Sequence, residues 1–172
     1  MFSPEEWQIR GKNKEDFQDW ISKQKVHSLF FDGAAKGNLG KAGAGGTVKN
    51  NEGISIHNFA WGLGINSSIQ AEALALYQGL KSLLNLEIKE ANIFGDSQVI
   101  IKLMVTNTTP QDLRLARLIH RIISLGKLFQ NLKYFHVLRD NNKEVDLEAN
   151  KLVLLSAGAM IRDGDETWDP IP

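Results

Sequence analysis

Four acidic residues stand where a folded chain could bring their charges together. Asp32 closes the apolar run FFD, and Glu72 is expected in the first turn of the helix-forming stretch SSIQAEALALYQGLKSLLN. Asp96 closes a second apolar run, IFGD, and Asp146 opens the last helix-forming segment, VDLEAN. Strand ends and helix starts can converge at one edge of a sheet, which is where open sheets place their sites. Each acid alone has an ordinary explanation. Acids near helix N-termini suit the helix dipole, and an aspartate just before a helix can cap it. Four together need more, because clustered like charges repel unless a cation joins them. All-oxygen ligands, in a chain with no cysteine and only four histidines, suit Mg²⁺ or Mn²⁺ rather than zinc.

The loop after Asp32, GAAKGNLGKAGAGG, is rich in glycine, and glycine turns after strands often cradle phosphate. The usual phosphate motifs fail here. A Walker loop ending at Gly40-Lys41 wants glycine at Ala35 and a hydroxyl residue at Ala42. A dinucleotide fingerprint starting at Gly43 wants glycine at Val48. The carboxylate beside so much bare backbone therefore has another use.

At 172 residues the chain suits one domain with a sizeable core. It is 42% hydrophobic and 23% charged, and no run of about eighteen apolar residues suggests a membrane span. The N-terminal MFSPEEWQIRGKNKED has no apolar core of a signal peptide. Without cysteine there are no disulfides, thiolate sites or thiol nucleophiles, which fits a reducing, intracellular setting. The net charge of zero averages unlike parts: residues 27–161 carry fourteen positive and eleven negative groups. With four acids neutralised by metal, that middle becomes basic, so a nucleic-acid partner is permitted.

The elements that must position these residues follow from periodicity. A short helix is expected at Lys14–Ser22 and a strand at VHSLFFD. A second strand follows in AGAGGTVK and a third in ISIHNFAWGLG, joined by short loops as an antiparallel meander. SSIQAEALALYQGLKSLLN reads as a helix capped by Ser67 or Ser68. ANIFGDS reads as a strand and SQVIIKLMV as a helix, which TNTTP ends. QDLRLARLIHRIISLGKLFQ is a long helix with Arg114, Arg117 and Arg121 on one face. LKYFHVL is a fifth strand, KEVDLEANKLVLLSAGA a final helix, and MIRDGDETWDPIP a polar tail or linker. The order βββαβααβα implies an α/β fold, a mixed sheet flanked by helices.

Four stretches taken in order, DGAAKGNLGKAGAGG, QAEALALYQGL, IFGDSQVII and HVLRDNNKEVDLEAN, resemble the motif blocks of type 1 ribonuclease H. The resemblance runs from about Val26 to about Ala159 and is closest to the ribonuclease H domains of plant retrotransposon polyproteins. It implies a five-stranded sheet of order 3-2-1-4-5, with a domain at 26–159 between an extension at 1–25 and a tail at 160–172. It also implies an endonuclease that cuts the RNA strand of RNA–DNA hybrids, leaving 5′-phosphate and 3′-hydroxyl ends. Asp32, Glu72, Asp96 and Asp146 would hold two Mg²⁺ ions, with Mn²⁺ able to substitute. Asp32 would bridge both ions; Asp146 would complete the water-activating site, and Glu72 and Asp96 the other.

Further roles are implied residue by residue. His136, ten residues before Asp146, matches the family's loop histidine, which moves a proton near the scissile phosphate and helps product release. His27, His57 and His120 read as satisfied surface groups. Gly33, Gly37, Asn38, Ser68, Gln98 and Asn142 would touch the hybrid, where 2′-hydroxyls in the minor groove distinguish RNA from DNA. Two departures stand out: Leu39 replaces a proline, and Ser68-Ile69 replaces Asn-Asn, removing one groove contact. The basic protrusion of cellular relatives is missing. Arg114, Arg117, Arg121 and Lys102 either replace it or form an ordinary solvated face, so hybrid binding is expected to be weak and salt-sensitive. The implied partner is a reverse transcriptase in a longer polyprotein, and the domain itself is expected to be monomeric. Two rivals share the fold: a DNA-cutting nuclease or transposase, and a non-catalytic binding module.

Overall fold

The computed structural model describes residues 14–37, 39–142 and 155–172. Helix α1 (Lys14–Ser22) precedes a meander of β1 (His27–Ala35), β2 (Gly40–Lys49) and β3 (Ser55–Asn66). Then come α2 (Ser68–Asn85), β4 (Glu90–Gly95), α3 (Gln98–Thr106), α4 (Leu113–Gly126) and β5 (Asn131–His136). A 3₁₀ turn, Arg139–Asn142, follows, and β6 (Ala159–Arg162) and β7 (Asp165–Trp168) close the chain. Among the described residues no helix is long and apolar enough to cross a membrane.

The strands form one sheet in the order β5-β4-β1-β2-β3-β6-β7. The expected order 3-2-1-4-5 lies inside it, with β1 parallel to β4, β4 parallel to β5, and the meander antiparallel. Two further strands correct the expectation of five. The stretch read as a polar tail is a hairpin docked on β3, pairing Phe59 with Arg162 and Trp61 with Met160. Its turn is Asp163-Gly164, both with positive φ (+50° and +89°), the backbone a two-residue hairpin turn demands. Polarity misleads there because an edge strand keeps one face in water. The final helix expected over 143–159 lies mostly outside the described residues; at Leu155–Gly158 the chain bends and turns instead, and Ala159 already begins β6.

Alternate residues of β1 serve opposite faces, as a strand requires. Leu29 and Phe31 join the large core with Ala71, Leu74, Leu76 and Leu80 of α2 and Ile119 and Ile122 of α4. Phe30 faces the other way, into a smaller cluster with Phe17 of α1, Phe94 and Phe135. The helices start where short hydroxyls can satisfy open N–H groups. The Ser67 side chain accepts from the Gln70 N–H at the head of α2, and Ser97 accepts from Ile100 at the head of α3. Asp112 does the same for Leu115 at the head of α4.

Candidate metal centre

Register brings two of the acids side by side. Phe30 pairs with Phe94 across the parallel β1–β4 ladder, so the residues two further on, Asp32 and Asp96, emerge at the same level of the sheet. Asp32 is not at the end of β1, as expected, but inside it; the strand continues to Ala35 and places Asp32 opposite Gly45 of β2. Asp96 follows the last residue of β4, and Ser97 caps the next helix, so capping does not account for it.

Glu72 sits in the second turn of α2 rather than the first, and it reaches the same edge because α2 lies hard against β1. The contact point is Gly33. A Cβ there would come within 2.2 Å of the Ala71 backbone carbon and 2.5 Å of the Glu72 nitrogen. Any side chain at position 33 would push α2 off the strand, so this packing requires glycine there.

The result is a tight anionic cluster. Asp32, Glu72 and Asp96 each offer a carboxylate oxygen, all within 4.8 Å of one another. Asp32 is 2% exposed and the Asp96 side chain 6%. Burial pushes the Glu72 carboxyl up to about 8, and the Asp96 charge adds to the shift. A side-chain hydrogen bond with Asp32, the Gly33 N–H and the Arg139 charge pull the other way without prevailing. Glu72 Oε2 is buried with no hydrogen-bond partner among the described residues. Desolvated carboxylates this close, with an oxygen left open between them, fit a hard divalent cation. Asp146, the expected fourth ligand, lies outside the described residues, as does Asn38.

The remaining expected site residues separate into two groups. Gly37 occupies a turn with φ +75°, and Ser68 and Gln98, the first residues of α2 and α3, are exposed. His136 and Asn142 are not. His136, within the expected fifth strand, is the last residue of β5, 8% exposed, with Nε2 3.1 Å from the Asp96 carbonyl oxygen. A carbonyl only accepts, so Nε2–H donates and the ring braces the turn carrying Asp96. Asn142 is 1% exposed and its Nδ2 donates to the Phe31 carbonyl at 3.0 Å, tying the 3₁₀ turn to the strand one residue before Asp32. Both position the acids from behind. Ile69, at one departure from the family pattern, packs against the large core, which explains an apolar residue there.

One cation beside the cluster escaped the sequence reading. Arg139, at the start of the 3₁₀ turn, places Nε 3.6 Å from Asp96 Oδ2 while its own side chain is 77% exposed. An exposed guanidinium at that distance is screened and offsets only part of the carboxylate repulsion. A basic residue three positions past a strand end was the only signal, and it is a common one. Arg114, Arg117, Arg121 and Lys102 are all exposed, and α4 turns its apolar side (Leu115, Leu118, Ile119, Ile122) to the core.

A mixed sheet with an acid cluster at the β1–β4 edge, flanked by helices, defines a ribonuclease H-type domain. Residues 30–152 match the sequence profile described as reverse transcriptase-like, and the chain belongs to that family of ribonuclease H domains. It is 32% identical over 130 residues to an Arabidopsis thaliana protein carrying a ribonuclease H name, covering 74% of this chain and 20% of that protein. It is 30% identical over 129 residues to ribonuclease HI of Halobacterium salinarum, covering 74% of this chain and 63% of that one. The crystal structure of RNase H1 from the same archaeon superposes with a TM-score of 0.71 at 27% identity, over 74% of this chain and 97% of that one. The chain thus spans about a fifth of the plant relative and under two thirds of the archaeal one.

Proposed function

We propose that this domain hydrolyses the RNA strand of RNA–DNA hybrids, leaving 5′-phosphate and 3′-hydroxyl ends, with two divalent cations, Mg²⁺ in the first place. The observation carrying the reading is the meeting of Asp32, Glu72 and Asp96 within 4.8 Å, with Glu72 held uncharged near neutrality by its surroundings. Asp32, Glu72 and Asp96, with Asp146, are the residues that would hold the ions. Bound there, the ions would supply an activated water and a stabilised leaving 3′ oxygen for an in-line phosphodiester displacement.

The chain's own side chains do the rest. Gly33 lets α2 close on β1, so that Glu72 arrives from one layer and Asp32 from another. His136 fixes the Asp96 turn through its carbonyl, and Asn142 fixes the strand beside Asp32. Arg139 stands exposed beside Asp96, where it attracts the scissile phosphate and holds anionic substrate against anionic ligands. Ser68, Gln98 and the Gly37 turn, all exposed, are the groups this reading assigns to the 2′-hydroxyls. The family match and the plant relative, of which this chain spans a fifth, support an origin in a retrotransposon polyprotein beside a reverse transcriptase.

The test is direct. Labelled RNA–DNA hybrid, duplex RNA and duplex DNA are incubated with the protein and Mg²⁺, Mn²⁺ or chelator, and the ends are mapped. Hybrid cleavage that stops with chelator and leaves 5′-phosphates is the expected result. Preferential cutting of duplex DNA overturns the substrate, and no cutting of anything under either metal reduces the domain to a binding module.

A further inference from the structure

Helix α1 lies before residue 30, outside the segment that matches the family, yet it is built against the underside of the acid cluster. Three aromatic rings run across three neighbouring strands in register: Phe30 of β1 pairs with Phe94 of β4, and Phe94 with Phe135 of β5. Their rings stack, with centroids 4.9 Å apart for Phe30–Phe94 and 5.4 Å for Phe94–Phe135. Phe30 shares a strand face with Asp32, and Phe94 stands two residues before Asp96, so the ladder is the floor beneath both carboxylates.

Two residues of α1 close that floor. Phe17, 1% exposed, meets Phe94 edge-on at 5.6 Å and Phe30 at 6.3 Å. Trp20, one helical turn on, meets Phe135 at 5.1 Å and Phe94 at 6.0 Å. The same helix touches the 3₁₀ turn that carries Arg139 and Asn142. Edge-to-face pairs of this kind attract beyond their area burial and prefer a set geometry, so the rings hold the strands' spacing as well as their hydrophobic surface. The two strands whose ends must keep anionic groups within 4.8 Å of each other are those braced from below.

We infer that α1 is a positioning element of the metal centre: Phe17 and Trp20 set the β1–β4 spacing at Asp32 and Asp96, and the affinity of the site for a divalent cation depends on them. This rests on the two-cation reading above. It predicts that the extension acts on metal binding and not only on stability.

The experiment is isothermal titration of Mn²⁺ into the full chain, beside urea melts of the same samples. Phe17→Ala/Trp20→Ala should weaken Mn²⁺ at least about tenfold, the size lost with indirect partners of metal ligands. Phe17→Leu/Trp20→Phe should restore most of it. Ile122→Ala, which opens the large core on the other side of the sheet, should lower stability comparably and leave Mn²⁺ affinity within about twofold. If the double variant does not fold, Trp20→Ala alone gives the same readout at lower amplitude. Wild-type Mn²⁺ affinity in a folded, destabilised α1 variant overturns the inference and leaves the nuclease reading standing. Failure of the wild-type chain itself to bind Mn²⁺ removes that reading and this inference with it.

Discussion

The two ends of the sheet bury charge in opposite ways. Around the β3–β6–β7 end, Asp169 Oδ2 accepts from Arg162 Nη2 and from Gln78 Nε2, both at 2.9 Å, with Lys81 Nζ at 3.7 Å. Its backbone carbonyl accepts from Trp61 Nε1 at 3.0 Å, and its N–H donates to Gly158. Asp169 is thus met through side chain and backbone alike, and the cluster fastens this segment to α2 and β3. At the β1–β4 end, among the described residues, three carboxylates face one another with an exposed arginine 3.6 Å from Asp96, and Glu72 Oε2 has no hydrogen-bond partner. The first carboxylate is met by cations and donors of the chain itself; the second cluster, on the function proposed above, would be completed by divalent cations. That contrast separates charge kept for folding from charge kept for chemistry.

The largest effect should come from removing one charge at each end. Asp96→Asn should cut hybrid cleavage by more than about 100-fold, since even indirect partners of a metal ligand are worth 10–100-fold. In metal-free protein the same change relieves repulsion, so the urea midpoint should hold or rise. Asp169→Ala should do the reverse. Losing charge-assisted hydrogen bonds there should cost about 2–3 kcal/mol, while cleavage at saturating Mg²⁺ stays within about twofold. Cleavage by Asp96→Asn at the wild-type rate, or activity lost with Asp169→Ala while the fold is intact, breaks the division between the ends.

Much of this site was legible before any coordinates, and the reasons are physical. Asp32, Glu72 and Asp96 could be read because residue type and the switch from strand to helix period together locate an acid at a sheet edge. The packing role of Gly33 could not, since glycines near a strand end serve turns, grooves and close contacts alike. The spacing to Asp146 marks His136 for proton transfer and Asn142 for substrate contact by resemblance alone; only the fold shows both side chains reaching the Asp96 and Phe31 carbonyls. The hairpin at 159–168 is hard to read although its turn is written plainly as Asp-Gly, because β7 is exposed throughout and shows no apolar alternation. Phe17 and Trp20 carry a one-turn spacing on α1, but their target, a ladder made of three distant strands, exists only once the sheet is formed.

A smaller effect follows from pH. Glu72 is raised in the folded chain from 4.5 to about 8, so between those values the folded state holds more protons than the unfolded one. Stability contributed by the protonated group is therefore full below about pH 4.5 and lost as pH climbs through 8. In metal-free protein, Glu72→Gln should match wild type at low pH and become the more stable chain at pH 8–9. Saturating Mg²⁺ should reverse that order, because only the wild type gains a ligand. Parallel melting curves for the two proteins across pH, without metal, contradict the assignment of strain to this carboxyl.

The smallest effect belongs to the far end, and its size is the point. His57 Nδ1 lies 2.7 Å from Asp163 Oδ2, and the same carboxylate accepts the Asn58 N–H through Oδ1 at 2.7 Å, bracing the hairpin turn. His57 Nε2, however, is buried without a hydrogen-bond partner among the described residues. His57→Phe removes a good bond, worth about 1 kcal/mol net, together with an unsatisfied polar atom whose desolvation costs a comparable amount. The two should nearly cancel, leaving less than about 1 kcal/mol in urea melts, with hybrid cleavage unchanged. Asp163 keeps its Asn58 contact and the turn keeps its shape. A loss above about 2 kcal/mol would show the hairpin hanging on one pair rather than on a set of complements. A change in cleavage would tie the far edge to the carboxylates through the whole width of the sheet, and the two ends could no longer be treated as separate solutions to buried charge.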